Sequence, residues 1–429
     1  MQNQGHELNV VLGNMVESIG PDVLAAFLGS KDFSEFHEKH PLRASMAGKN
    51  LSIERDYREA LSIIDGIRNA GFTINGKLPP VFYRVGISRV GRHQFKGINP
   101  QNNKILRALV TPTKSILDMT KKRHKDAFWL TVAQASGIHK VENKKHKDIL
   151  STIQNEFEDA YGDAVQMVVD HLNGAELDGK AFIEAMGGTG EMQELAAVFA
   201  VAQLKKAVTD GTESSFETTL SFELDGKTDG PGNMMANFGQ GVMTIQDYMN
   251  FKRVGFFLGT KMMTLNRFFG EGTEHDLYEV TSLKGQMAVH NAISNGTNSD
   301  RARFRAIANL ASVFGELRVD GNGNFILTRN ASKNPMTKTV YGSSEKGIGQ
   351  GLAQEMMLKM YETLIKNPDG VPGYPGGQVA FENDFFIAFG LNFPKGRNWK
   401  KDYLGKAEVN NFTKAVTKTL GKVLSETAK

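Results

Sequence analysis

The chain has 429 residues, an ordinary globular composition and a formal net charge of +4, which allows two or three domain-sized units or one large interlocked enzyme. It contains no cysteine, which excludes disulfides, thiolate nucleophiles and cysteine-type zinc sites and agrees with an intracellular protein. No apolar run is long enough to span a bilayer, and the first residues lack the pattern of a secretory signal.

The N-terminal region, up to residue 79, is predicted to be helical. One helix is indicated by apolar residues spaced for a single face, followed by Gly20-Pro21: Val10, Val11, Met15, Val16 and Ile19. A second helix is predicted for residues 52–70, with Gly71 as its stop. His37 and His40 have a spacing that a metal could use, but no third ligand accompanies them, so we interpret both as surface histidines.

A strand is predicted after Leu78-Pro79-Pro80, because apolar residues alternate from Val81 to Ile87. Basic residues crowd this region: Arg84, Arg89, Arg92, His93 and Lys96. Aromatic residues lie among them: Phe82, Tyr83 and Phe95. Cations interleaved with aromatic rings suit a nucleic-acid backbone with stacked bases, and an ordinary solvated loop is an equally good interpretation.

Two further basic runs, KKRHK at 121–125 and HKVENKKHK from His139, flank a predicted buried helix that ends at Gly137. Such runs usually form solvated faces, although two of them around one helix favour a phosphate-facing surface. Helices are also predicted for residues 150–172 and 194–208. The MGGTGE sequence between them lacks the Gly-Lys-Ser/Thr ending of a phosphate-binding loop.

A metal half-site is suggested by Asp225-Gly226, which follows a predicted strand with Leu220, Phe222 and Leu224 on one face. Mg²⁺ prefers one or two carboxylates together with substrate phosphates and water. A plain Asp-Gly turn is the main alternative. A calcium loop is excluded, because its twelfth position is Ala236 instead of Glu.

The C-terminal half is predicted to be largely helical, with helices at 247–269, 276–295, 301–317 and from Gly342 to about 365. The sequence DGNG at 320–323 predicts a hairpin turn. An amphipathic helix is predicted from Ala407, with one apolar face formed by Val409, Phe412, Val416, Leu420 and Val423.

The sequence RNASKNPMTKTVYG at 329–342 places Arg329, Lys333 and Tyr341 near one face of a helix. Two cations and an aromatic ring in this order suit a nucleoside triphosphate, with Gly342 leaving room for a base. A solvated basic helix with a core tyrosine is the alternative. Pro335 is unfavourable in a helix interior, so the helix is predicted to begin there, with Asn334 as its cap.

Three elements in this order resemble the single-subunit, phage-type RNA polymerase family. Ser88-Arg89-Val90-Gly91-Arg92 resembles its T/D-x-x-G-R element, Asp225-Gly226 its motif A, and residues 329–342 its motif B. The chain is most similar to one subunit of the split, heterodimeric polymerases of podophages with a virion-packaged enzyme. The resemblance implies an α+β fold of right-hand palm and fingers, mainly helical with a small antiparallel palm sheet, incomplete without a partner.

The resemblance also implies roles for individual residues. Asp225 and the Gly226 carbonyl would bind Mg²⁺, and Arg329 and Lys333 would hold the incoming ribonucleoside triphosphate. Tyr341 would stack near the nucleotide and take part in ribose selection, with clearance from Gly342. The implied catalytic residues are Asp225, Lys333 and Tyr341. The implied nucleic-acid contacts are Arg89, Gly91 and Arg92.

The family's second metal-binding aspartate, in the His-Asp pair of motif C, is missing. Only 87 residues follow Gly342, and they contain no His. Asp384, on a predicted strand, is the one acidic candidate in an apolar setting, and we interpret it as structural. We therefore expect a second polymerase subunit to supply motif C. The C-terminal amphipathic helix is a candidate docking element for it, and packing of that helix on its own chain is the alternative. The other expected partners are the DNA template, the RNA product, and a melting or single-stranded-DNA-binding factor, all in the cytoplasm of a bacterial host and with no membrane.

The predicted domains are a helical N-terminal region at 1–79, a palm at 80–245, fingers at 246–365, and a loop with the docking helix at 366–429. Two other functions stay open: a fragment of a family A DNA polymerase, and a non-catalytic nucleic-acid-binding or virion protein with a degenerate polymerase fold. Gly226-Lys227 stands where the DNA polymerases carry a Glu that blocks ribose, which favours ribonucleotides.

Overall fold

The computed structural model divides into two compact units, residues 1–33 with 45–224, and residues 34–44 with 225–429. It describes the following residues: 5–71, 73, 78–87, 93–97, 99–112, 114–139, 141, 145–221, 277–295, 298–315, 317–319, 325–328, 331, 333, 335, 338 and 343–428. The described elements are mostly helices, joined by two-stranded antiparallel sheets, which is an α+β composition.

The first unit contains eight of the described helices, with α3 continuing into it from the residue 34–44 segment. These are α1 (Val10–Ile19), α2 (Pro21–Phe27), α3 (Pro41–Arg68), α4 (Lys104–Leu109), α5 (Lys122–Ala135), α6 (His146–Leu172), α7 (Gly179–Ala185) and α8 (Met192–Thr209). Its strands are β1 (His6–Leu8), β2 (Val85–Ile87), β3 (His93–Phe95), β4 (Val110–Pro112), β5 (Ser115–Leu117) and β6 (Phe216–Thr218). They pair as β1–β4, β2–β3 and β5–β6.

Helix α1 is buried on one face, as its apolar pattern predicts, but that face is narrower than expected. Met15, Val16 and Ile19 are buried, whereas Val10 and Val11 remain 38% and 44% exposed. Taken alone, no described helix is long and apolar enough to cross a membrane. The α1–α2 pair has the length and composition only when both helices are counted across a 93° bend.

The second unit contains the described helices and strands after residue 225. They are α9 (Leu277–Asn295), α10 (Asn298–Val313), β7 (Leu317–Val319), β8 (Phe325–Leu327), α11 (Glu345–Lys366), α12 (Gly377–Phe389), α13 (Lys406–Val416), a π-helical turn (Thr417–Gly421) and α14 (Lys422–Ala428). Strands β7 and β8 form the hairpin that DGNG predicted, with Leu317 opposite Leu327 and Val319 opposite Phe325.

His40 is buried within the second unit, which corrects its interpretation as a surface histidine; His37 is exposed as predicted. The His40 Nε2–H donates to the Trp399 carbonyl at 2.9 Å, and Nδ1 accepts the Leu42 backbone N–H at 3.1 Å. Both ring nitrogens are therefore used inside the protein, so His40 holds the 34–44 segment to the core of this unit. Sequence spacing carried no sign of these partners.

The C-terminal amphipathic helix buries its apolar face inside the second unit. Phe412, Val416 and Leu420 are all buried, and the Phe412 ring stacks on Phe389 at 4.6 Å with an 8° tilt. We expected this face to dock a second subunit, but it is occupied by the chain's own helices and is not available to a partner.

Two glycines allow the C-terminal helix to lie against α11. A Cβ on Gly349 would lie 2.7 Å from the Thr417 Cα, and a Cβ on Gly421 would lie 2.8 Å from the Gly349 Cα. These are backbone contacts, which a change of side-chain rotamer cannot relieve. The π-helical turn at Thr417–Gly421 lies at this crossing.

Other predicted boundaries shift. The strand expected at Leu220 lies earlier, at Phe216–Thr218, and Leu220 is outside it, while Phe222 and Leu224 are not among the described residues. The helix expected at 301–317 ends at Val313, because Leu317 begins β7. The division at residue 224/225 falls inside the region 80–245 predicted as palm, and the four domain assignments stay predictions.

Candidate functional site

The Ser88–Arg92 element joins the two strands of a short hairpin. Strand β2 pairs with β3 in antiparallel register, with Val85 opposite Phe95 and Ile87 opposite His93. Five residues, 88–92, connect these two strands in the sequence. Arg89, Gly91 and Arg92 are among these five and lie outside the described residues.

One face of this hairpin is anchored in the core. Tyr83 is buried, and its ring packs edge-on against His6 at 4.8 Å and Phe95 at 5.5 Å. Burial, with a smaller contribution from the Glu59 charge, raises the pKa of the Tyr83 hydroxyl far above its usual range, so this ring stays neutral at physiological pH. The base of the hairpin is thus held firmly, and the opposite face is turned to solvent.

Lys333 lies on a helical segment that begins directly after strand β8. The Thr328 hydroxyl and carbonyl accept the Ala331 backbone N–H at 3.2 and 3.1 Å, which is the geometry of an N-cap. Ala331, Lys333, Pro335 and Lys338 are all helical. The helix therefore starts before Pro335, which corrects the prediction of a start at that residue. A proline has a helical φ, so its cost in the interior is a lost hydrogen bond and local crowding.

The Lys333 side chain lies on the exposed side of its helix. Ala331 and Pro335 are buried on either side of it, whereas Lys333 itself is exposed. Leu327, at the end of the preceding strand, packs against α9 where Gly285 leaves space, since a Cβ there would lie 2.5 Å from the Leu327 Cδ2. Leu327 and Ala331, on either side of Thr328, are both buried. These core contacts fix the start of the helix that carries Lys333.

Hydrogen bonds also join the residues after Lys338 to the start of α11. The Ser343 backbone N–H donates to the Lys338 carbonyl at 2.8 Å, and the Ser344 hydroxyl then caps α11 by accepting the Gly347 N–H at 3.3 Å. Arg329, Tyr341 and Gly342 lie outside the described residues. Of the predicted triphosphate-binding set, the structure therefore describes Lys333.

Asp225 and Gly226 also lie outside the described residues. Within the part that is described, no group of three or more His, Asp or Glu side chains is arranged to hold a metal ion. A carboxylate and a backbone carbonyl are hard oxygen donors of the kind that Mg²⁺ prefers, so the donor chemistry of this pair suits the ion. The assignment of the metal to Asp225 stays a prediction.

Asp384 has a structural environment. It lies on helix α12, which corrects the prediction of a strand, and its Oδ2 accepts hydrogen bonds from the Tyr374 hydroxyl at 2.8 Å and the Asn309 amide at 2.9 Å. Burial and the nearby Asp384 charge raise the pKa of Tyr374 far above its usual range. The carboxylate is therefore engaged in joining α12 to α10, in agreement with the structural interpretation.

The first basic run is partly neutralised by neighbouring carboxylates. The run at 121–125 covers the start of α5, and the described residues of the second run, His139, Val141 and 145–147, follow the end of this helix. Lys121 and Lys122 are also paired with Asp118 at 3.0 Å and Asp126 at 2.7 Å. These runs are better interpreted as solvated faces.

Comparison with known proteins finds three family models along the chain. A virion DNA-directed RNA polymerase domain matches residues 1–110, the plug insertion of virion DNA-directed RNA polymerase matches 125–205, and the helical domain of bacteriophage N4 RNA polymerase matches 279–427. The virion DNA-directed RNA polymerase of Enterobacteria phage N4 is 27% identical over 356 residues, covering 81% of this chain. The chain spans 10% of the length of that relative.

Two of the three predicted motifs lie inside stretches that match these family models, and one lies between them. The Ser88–Arg92 element lies in the first matched stretch, and Arg329 to Gly342 lie in the third. Asp225 and Gly226 lie between the second and third stretches. The plug match falls within the region 80–245, for which we predicted a palm.

Proposed function

We propose that the chain is a member of the phage-type RNA polymerases, similar to the virion enzymes, and that it forms one part of the active centre of a DNA-directed RNA polymerase. The proposed reaction is two-metal nucleotidyl transfer of ribonucleotides on a DNA template. The observation that carries the proposal is the succession of three phage RNA-polymerase family matches along one chain, with Lys333 exposed on a capped helix inside the third.

The triphosphate site is proposed at the start of the helix after β8. Arg329 and Lys333 would hold the phosphates of the incoming nucleotide, and Tyr341 with Gly342 would accommodate its ribose and base. Two features of the described residues support this. Lys333 is exposed within two turns of the helix start at Thr328, and that end of a helix carries partial positive charge that favours anions. Neutralising charge on the transferring phosphoryl group is the main task of such a site.

The metal site is proposed at Asp225, with the Gly226 carbonyl as an added ligand. Bound Mg²⁺ would supply activation of the RNA 3′-hydroxyl and charge neutralisation on the leaving pyrophosphate. The chain's own contribution would be to orient the triphosphate through Lys333 and Arg329 and to hold the nucleic acid through Arg89, Gly91 and Arg92. In this proposal the residues 80–245 act as palm and 246–365 as fingers.

A second polypeptide is proposed to bring the motif C aspartate, because a single carboxylate is a poor two-metal site. The complex would work in the cytoplasm of the phage-infected bacterium, with a melting or single-stranded-DNA-binding factor where the template is duplex. Since the apolar face of the C-terminal helix is buried, the partner would dock on another surface of the chain.

The test is RNA synthesis on single-stranded DNA with Mg²⁺, by the chain with and without the candidate second polypeptide. We expect synthesis by the pair alone, its loss in Asp225→Asn, and a drop of at least tenfold in Lys333→Ala. Lys346→Ala, at an exposed lysine on neighbouring helix α11, is the matched control and should leave the rate unchanged. Full activity of the Asp225→Asn complex would refute the metal assignment, and a preference for deoxynucleotides would indicate a DNA polymerase.

A non-catalytic nucleic-acid-binding or virion protein is the second candidate function. The specific observation behind it is that Asp225, the proposed metal ligand, lies between the family matches. This alternative predicts DNA binding that weakens as salt rises, without synthesis in the presence of any partner.

A further inference from the structure

The solvent face of the β2–β3 hairpin carries an exposed aromatic ring. Phe82 is 57% exposed, directly before the strand that leads into Ser88–Arg92. Its neighbour Tyr83 is buried, so the alternation of side chains along an extended chain turns Phe82 and Arg84 to the side away from the core. The exposure of the ring is therefore a consequence of how the hairpin is anchored.

Two cations share this face with the ring. The Lys96 backbone N–H donates to the Arg84 carbonyl at 2.7 Å, which extends the hairpin by one residue pair and sets Arg84 opposite Lys96. Residues opposite each other in antiparallel strands project from the same face. Both side chains are exposed. Gly86, two residues after Arg84, has no side chain, and the methylene groups of the Lys96 side chain lie across it.

The pair of cations is unfavourable in the isolated hairpin. Like charges directly opposite each other destabilise a sheet. In the part of the chain that is described, no ion pair joins Arg84 or Lys96 to a carboxylate. A ligand with closely spaced negative charges would remove this repulsion, and a ligand with flat bases would also cover the exposed ring.

We propose that Phe82, Arg84 and Lys96 form a binding platform for single-stranded DNA, in which the cations contact successive phosphates and a base stacks on the Phe82 ring. This combination of a basic surface with an exposed aromatic side chain is how single strands are bound without sequence preference. The proposal rests on the proposed polymerase function for the identity of the strand, which would be the template. It extends the proposed nucleic-acid contacts from Ser88–Arg92 to the strands on either side.

The test measures binding of a fluorescent oligo(dT) to the full chain by anisotropy, over a range of salt concentrations. Phe82→Ala should weaken binding roughly 5- to 140-fold and leave the salt dependence unchanged, because a stacked base is lost and no charge is removed. Phe82→Trp should retain binding. Arg84→Gln and Lys96→Gln should each reduce the slope of log K against log salt by about 0.7, as expected for one phosphate contact to a single strand.

Matched controls lie in the same unit. Ile116→Ala removes another exposed apolar side chain, which is 67% exposed on β5, and Lys147→Gln removes an exposed cation on α6; neither should change affinity or salt slope. Equal effects of Phe82→Ala and Ile116→Ala would overturn the proposal. Tighter binding of oligo(rU) than of oligo(dT) by tenfold or more would overturn the assignment to DNA.

Failure here is separable from failure of the polymerase function, because the assay uses neither a partner nor nucleotides. If the chain binds oligo(dT) through Phe82 but supports no RNA synthesis, the proposed polymerase function is refuted and the proposed DNA-binding platform is retained. If Phe82→Ala binds DNA as well as wild type in an active complex, only the platform is refuted.

Discussion

The crossing of α11 with the C-terminal helix is sensitive to a single methyl group. In Gly349→Ala the new Cβ would meet the Thr417 Cα at 2.7 Å and the Thr417 Oγ1 at 2.6 Å. Carbon atoms pack best at about 3.5–4.0 Å, so the two helices would have to separate by roughly 1 Å. A gap of that size forfeits about a quarter to a half of the dispersion energy of the atoms that line it.

The magnitude follows from two opposing effects. Overpacking a tight interface costs about 1–3 kcal/mol, whereas replacing a helical glycine by alanine contributes about 0.5–1 kcal/mol of helix stability. We therefore expect Gly349→Ala to destabilise this crossing by about 1–2 kcal/mol. Gly347→Ala is the control on the same helix, since its Cβ would meet only the Ser344 Oγ, at an ordinary 3.7 Å. It should be neutral or stabilising by up to about 1 kcal/mol.

The assay is native-state hydrogen exchange of peptides from α11 and from residues 406–428, because a chain with two compact units need not unfold in a single step. Protection in these peptides should fall in Gly349→Ala and hold in Gly347→Ala. Equal or greater protection in Gly349→Ala than in wild type would refute the close approach of the two helices, and with it the claim that this face has no room for a partner.

Three further predictions concern the second unit. Desolvation lowers the pKa of His40, with a further lowering from His37, so the unfolded chain binds a proton at this site more readily than the folded chain. The contribution of His40 to the stability of this unit should therefore be fully present above about pH 6.5 and should fall as the pH decreases below that value. Urea unfolding at several pH values should show that His40→Gln loses most of this pH dependence. Thr328→Ala removes the cap on Ala331 and should cost about 0.5–2 kcal/mol, measured as faster exchange around Lys333 and slower RNA synthesis by the complex. Tyr374→Phe should cost about 1.5–3 kcal/mol in unfolding free energy, because the Asp384 carboxylate loses a donor; unchanged stability would show that the hydrogen bond contributes nothing.

Elements with strong local signals were predicted well. Helices at α6, α8 and α9 follow from their apolar periodicity, and the β7–β8 hairpin follows from the DGNG turn. The resemblance to the phage-type RNA polymerases also came from sequence, because it depends on residue types at fixed spacings along the chain. The residue roles implied by that resemblance, including that of Lys333, await the experiments above.

Other features depend on which surfaces meet in three dimensions. The pattern of the C-terminal helix correctly indicated that one face is apolar, but periodicity cannot show whether that face covers the chain's own core or waits for a partner; the structure shows that Phe412 stacks on Phe389. His40 and Asp384 find their hydrogen-bond partners at Trp399 and Asn309, far away in the sequence. The start of the Lys333 helix was misplaced because the sequence argument relied on Pro335 and did not include the hydrogen bonds that Thr328 accepts from Ala331. Local chemistry thus determined where most elements lie and which family they resemble, whereas burial and long-range hydrogen bonding, which depend on packing between distant segments, were decided by the tertiary structure alone.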